Sequence, residues 1–108
     1  MVAERYAIHY ESPKKNYKSY EDTSFVVGDS PVVLDVFTDL ARTNPAYNGE
    51  ITCDGAGSIL VAVSADGTVY GDNMTVKSGE KLVITSLTDK KVRITHSGVD
   101  SSYRCRFW

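Results

Sequence analysis

Ser58-Ile-Leu-Val-Ala-Val-Ser64 is the most apolar run of the chain, and the alternation of its side chains decides the fold class. In an extended strand successive side chains point to opposite faces, so Ile59, Val61 and Val63 share one face and Leu60 and Ala62 the other. Both faces are apolar, as in a central strand covered on two sides. Ala65-Asp-Gly-Thr68 follows directly. An Asp-Gly pair between alternating segments predicts a hairpin, with Gly67 at positive φ because a residue without Cβ adopts it at little cost.

The same pattern extends in both directions from this run. Upstream, Phe25 and Val27 alternate before Gly28-Asp-Ser-Pro31, and then Val32, Leu34 and Val36 oppose Val33, Asp35 and Phe37. Thr38 to Asn44 suits one helical turn, stopped at Pro45 because the residue before a proline disfavours the α region. After Asn48-Gly49, Ile51 and Cys53 point together, and Asp54-Gly-Ala-Gly57 breaks the strand.

Downstream, Met74 and Val76 precede a Lys77-Ser-Gly-Glu80 turn, and Leu82, Ile84 and Ser86 resume in phase, which predicts a further hairpin. Val92 and Ile94 face inward with Arg93 and Thr95 outward; Tyr103, Cys105 and Phe107 oppose Arg104, Arg106 and Trp108. Seven or eight short strands with Gly-containing turns predict an all-β, antiparallel β-sandwich over residues 23–108, of the jelly-roll or immunoglobulin-like kind. No repeat of propeller or solenoid type is present.

Residues 11–22 carry charge, one proline and no aliphatic side chain, and so lack a core face of their own. Residues 1–22 therefore read as an amino-terminal arm or edge strand, with Tyr6, Ile8 and Tyr10 in strand phase, followed by a polar linker. Tyr10, Tyr17 and Tyr20 are amphipathic rings in polar surroundings, a setting that suits protein contact as well as packing on the chain's own domain.

The chain has 108 residues, the size of one domain. Twelve Lys and Arg against 14 Asp and Glu give a net charge of −2, without the basic excess that phosphate backbones require, so nucleic acid is not an expected partner. No run reaches the roughly 18 apolar residues of a membrane span, and the first residues carry charge where a secretion signal needs an apolar stretch. Synthesis in the cytoplasm without a signal peptide is expected.

The residues able to carry chemistry form no active-site constellation. His9 and His96 fall in separate segments, away from ligand-like spacings. His96, in phase with Val92 and Ile94, reads as a strand-end residue held by hydrogen bonds. Cys53 and Cys105 are both inward in phase and read as buried thiols, with a disulfide or a reactive thiol as alternatives. Asp54, Asp66 and Asp72 lie in loops, where Asp forms turns; a calcium site would need them to converge. No cofactor or metal is expected. Tyr70, beside the predicted hairpin, and Trp108, opposite in phase to Phe107, complete the candidate contact residues.

The order of these motifs resembles a known group. Pro31-Val-Val-Leu-Asp-Val36, Asp39-Leu-Ala-Arg42, Asn48-Gly-Glu-Ile51, Asp54-Gly-Ala-Gly-Ser-Ile59, Ser64-Ala-Asp-Gly-Thr68, Lys77-Ser-Gly-Glu80, Arg93-Ile-Thr-His-Ser-Gly98 and Asp100-Ser-Ser-Tyr-Arg104 together resemble small β-sandwich virion proteins of tailed bacteriophages. The resemblance covers residues 23–108 and lies in the order of generic pieces. It implies a non-enzymatic structural protein of the virion, a capsid decoration or head/tail-associated protein. Its partners would be capsid or head/tail subunits or further copies of itself, with no catalytic residues and no membrane. A carbohydrate-binding β-sandwich module is the second reading; it requires a row of coplanar exposed aromatics, for which Tyr47, Tyr70 and Trp108 are the candidates, or a polar cleft.

Overall fold

The computed structural model describes residues 18–37 and 46–108. It is an all-β sandwich of eight strands: β1 (Lys18–Phe25), β2 (Val32–Asp35), β3 (Gly49–Cys53), β4 (Ile59–Ser64), β5 (Met74–Val76), β6 (Lys81–Ile84), β7 (Lys91–His96) and β8 (Ser101–Phe107). Two four-stranded sheets, ordered β1-β8-β3-β6 and β2-β7-β4-β5, face one another. Each early strand pairs antiparallel with its mirror in the later half, β1 with β8, β2 with β7, β3 with β6 and β4 with β5. That nested pairing is a long hairpin wrapped into two layers, the jelly-roll order, and not the immunoglobulin one.

The alternation seen in sequence is the burial pattern of the strands, except that Val27, read in phase with Phe25, lies beyond the end of β1 in a single 3-10 turn (Val27–Asp29) and is 73% exposed. Leu34, Val36, Ile51, Cys53, Ile59, Val61, Val76, Val92, Ile94, Tyr103, Cys105 and Phe107 fill the space between the sheets. Fully burying a Val, Ile or Phe side chain contributes about 1.5–3 kcal/mol, so this layer is the main support of the fold.

Three expectations are corrected. Gly67 has the expected positive φ of 87°, but Asp66-Gly67 does not close a tight hairpin, since β4 ends at Ser64 and β5 begins at Met74. Asp66 instead organises a turn of its own, its Oδ1 accepting from Ser64 Oγ (3.1 Å) and from the amides of Thr68 (2.8 Å) and Val69 (2.9 Å). Residues 69–73 then run on before β5 starts, and Gly71 N–H donates to Val63 O (3.0 Å). The Lys77 to Glu80 turn does not join a hairpin either, because β5 and β6 belong to different sheets. Gly79 and Glu80 bond instead to both backbone groups of Cys53, so the turn carries the chain across the sandwich.

Finally, β1 begins at Lys18, inside the stretch that composition assigned to a linker. It pairs with β8 from Lys18↔Phe107 to Phe25↔Ser101, with one extra residue on β1 between Asp22 and Phe25. This bulge turns both Tyr20 and Phe25 toward the core although they are an odd number of residues apart. The expected strand at Tyr6 to Tyr10 and the helical turn at 38–44 lie outside the described residues.

The bonds from the Val69 and Thr68 amides, and then from the Ser64 hydroxyl, hold the Asp66 carboxyl below the ordinary carboxylate range. A carboxyl whose pKa is lower folded than unfolded stabilises the protein above the unfolded value of about 3.9, and the contribution fades as pH falls through the folded value. Asp66→Ala is therefore expected to melt below wild type at neutral pH, with the gap closing in acid. A gap constant from pH 7 to pH 2 would show that the carboxylate does not support the turn.

Candidate functional site

His96 stands where β7 enters its connection to β8. Its side chain is 5% exposed, and its ring packs edge-on against Phe25 with centroids 5.7 Å apart. Nδ1 accepts the Gly98 amide proton (3.0 Å), so the neutral ring carries its hydrogen on Nε2 and donates it to Asp100 Oδ1 at 2.8 Å. Both nitrogens are thereby occupied by the turn. The backbone amide of His96 donates to Ser30 Oγ (2.9 Å), so that serine meets the main chain and not the imidazole. Histidine, serine and aspartate are close together here, yet no ring nitrogen is left to take a proton from a nucleophile.

Cys53 and Cys105 are 0% and 4% exposed and free. The register sets Ile51, not Cys53, opposite Cys105, which leaves the two cysteines diagonal, at a spacing of roughly 7–8 Å that exceeds disulfide reach. Cys53 Sγ donates to Gly57 O (3.1 Å). Burial pushes the Cys105 thiol up to about 12, far from a thiolate nucleophile at neutral pH. Neither thiol is expected to react with a thiol reagent in the native protein, and both to react in denaturant; rapid native labelling of both would refute the buried assignment.

The acidic loop residues do not converge. Asp54 accepts from Ser102 Oγ (2.7 Å) and pairs with Arg104 Nε (3.0 Å), whereas Asp66 serves its own turn. No group of three or more His, Cys, Asp or Glu able to hold a metal occurs among the described residues.

The aromatic candidates separate. Tyr10 and Tyr17 lie outside the described residues. Tyr20 is not a free contact ring but packs on the core, edge-on to Phe107 at 6.3 Å. Trp108 sits on the outer face of the β1-β8-β3-β6 sheet, with the Arg106 guanidinium 4.6 Å from its ring centroid. Arg106 Nη2 also meets Glu50 Oε1 (3.2 Å), and Lys81 Nζ meets Glu50 Oε2 (4.0 Å). Tyr70 sits on the outer face of the other sheet, its ring centroid 4.4 Å from the Arg93 guanidinium. Tyr47, 56% exposed, donates its amide proton to Trp108 O (2.7 Å).

Tyr70 and Trp108 thus lie on opposite sides of the sandwich, each with one ring face against an arginine. Tyr47, Tyr70 and Trp108 therefore do not form one sugar-stacking platform, which removes the aromatic-row form of the carbohydrate reading. What the two sides share is the Arg-aromatic composition of protein contact sites. Sequence phase placed Arg93, Arg106 and Trp108 outward; it did not show which aromatic ring meets which arginine.

No family model matches the sequence, and no curated protein matches it either. Among solved structures the chain is similar to one from Bacillus endospore appendages, described as a family of disulfide-linked pili. The two share 12% identity, with 94% of this chain and 96% of that one covered and a TM-score of 0.50. It is also similar to PirA, at 13% identity, with 94% and 98% covered and a TM-score of 0.46. At 12% identity the likeness to the pilus chain is one of fold alone.

Proposed function

We propose that this chain is a non-enzymatic structural subunit that acts by protein–protein contact within a larger assembly. The observation that carries the proposal is the state of the reactive side chains. Among the described residues, both ring nitrogens of His96 are bonded within its own turn, and both cysteines are buried in the core. The fold is also one that a pilus-forming protein adopts. Those pili are described as disulfide-linked, whereas Cys53 and Cys105 are sealed between the sheets, so the contacts proposed here are non-covalent.

The motif order supports a finer version, in which the assembly is the virion of a tailed bacteriophage and the partners are capsid or head/tail subunits. Capsid, portal or tail genes flanking the reading frame would support that version, and polysaccharide-active enzymes in their place would oppose it. Tyr10 and Tyr17 keep a proposed docking role, tested by a truncation that begins at Lys18 and leaves β1 whole.

Sedimentation equilibrium of the full chain tests the broader proposal. Concentration-dependent association is expected; a monomer at every concentration up to about 1 mM would remove self-assembly from it.

A further inference from the structure

Among the described residues, Arg93 Nε is the one buried side-chain nitrogen or oxygen with no hydrogen bond. The two arginines of β8 have carboxylates. Arg104 meets Asp54 at 3.0 Å and Arg106 meets Glu50 at 3.2 Å, while Arg93 has no carboxylate within 4.0 Å among the described residues. Its polar side-chain contact is Asn73 Oδ1 at 3.5 Å, the outer limit for such a bond, and its guanidinium is covered by Tyr70. A buried donor without an acceptor is uncommon in native proteins, and where one persists it calls for an explanation.

An anion stands next in sequence to the Asn73 contact of Arg93. Asp72 is exposed, sits between Tyr70 and Asn73 in the connection that crosses this face, and makes no ion pair or hydrogen bond among the described residues. One patch therefore presents an under-satisfied cation and an unpaired carboxylate that do not pair with each other. Val33, directly opposite Arg93 in the β2–β7 register and 48% exposed, adds apolar surface to the same face.

An arrangement of that kind is self-complementary. In a two-fold interface residue i meets residue j of the partner while j meets i, so one contact gives both the exposed guanidinium end of Arg93 and the Asp72 carboxylate a partner in each copy, while the buried Nε stays out of its reach. We infer that the outer face of the β2-β7-β4-β5 sheet is a homotypic interface, in which Asp72 of each copy pairs with Arg93 of the other. The inference rests on the structural-subunit reading and names its partner, a second copy of this chain. Interfacial charge pairs fix register and weaken with salt, so association through this face is salt-sensitive.

Charge reversal on the full chain decides it. Arg93→Glu and Asp72→Arg are each expected to raise the dimer dissociation constant by at least about tenfold, and the double reversal to bring it back toward wild type. Arg93→Met, which removes the cation without adding an acidic charge, is expected to keep the melting temperature while losing association, which separates interface from fold. Wild-type association that both single reversals leave unchanged, or a double reversal no better than the worse single, overturns the inference and leaves the subunit reading standing. A wild type that stays monomeric overturns self-assembly and this interface together.

Discussion

Phe107→Ala is expected to be among the most damaging single changes, costing about 3–5 kcal/mol of a total stability that for such a domain is about 5–15 kcal/mol. The melting temperature should fall by roughly 15–30 °C. Phe107 is fully buried on β8, which is paired on both sides, with β1 through Lys18↔Phe107 and with β3 through Gly49↔Phe107. Its ring lies over Gly49, with Cδ1 and Cε1 2.8 Å from where a β-carbon at 49 would be, and Tyr20 meets it edge-on. Removing the ring leaves a void that two hydrogen-bonded neighbours cannot close.

The same geometry fixes the sign of a coupling. Gly49 lies outside the left-handed region, so alanine there is excluded only by the ring. Gly49→Ala should destabilise the wild type, yet be neutral or favourable beside Phe107→Ala, where the methyl group occupies vacated space. Additive effects, within the usual ~0.5 kcal/mol for independent sites, would show that the ring does not sit on Gly49.

Phase was legible in the sequence, whereas pairing was not. On β8 the alternation of Tyr103, Cys105 and Phe107 with Arg104, Arg106 and Trp108 is local information, and the structure keeps it. The turn at Lys77 to Glu80 announces a reversal through Gly79, whose φ is 82°. Which strand the next segment joins depends on β3, more than twenty residues away, and no local signal carries that. Tyr20 was hidden for a different reason: the bulge after Asp22 breaks the period of two, so no single phase puts both Tyr20 and Phe25 inside. At the proposed interface, Arg93 is outward by simple alternation. The Tyr70 ring against its guanidinium is a consequence of the extended 65–73 connection, which the Asp-Gly signal did not reveal.

Gly55→Ala is the second change with a large expected effect, because a β-carbon there has nowhere to go. It would lie 2.6 Å from the carbonyl carbon and hydroxyl oxygen of Ser101, and closer still to the Ser102 amide nitrogen. Backbone, unlike the end of a flexible side chain, cannot yield. The turn holding Gly55 is fastened to the start of β8 on both sides. Asp54 N–H donates to Ser102 O (3.1 Å), Gly57 N–H to Asp100 O (3.2 Å) and Ser101 Oγ to Gly57 O (2.6 Å). Accommodating the methyl group must lift the turn and strain or break these bonds. Overpacking alone costs about 1–3 kcal/mol and each lost bond about 1 kcal/mol, so a loss of roughly 3 kcal/mol or more is expected. For a domain of this size that is a melting temperature lower by on the order of 12 °C or more. Cys53 supplies a local readout, because its Sγ bond to Gly57 O belongs to the same cluster and its thiol should become reactive in the variant. Gly28→Ala is the control: nothing lies within 4 Å of its β-carbon, and its effect should stay within about 0.5 kcal/mol. Equal melting temperatures for the two alanine variants, with Cys53 still protected in both, would mean that the 54–58 turn does not lie against β8, and the close approach that explains its glycines would have to be abandoned.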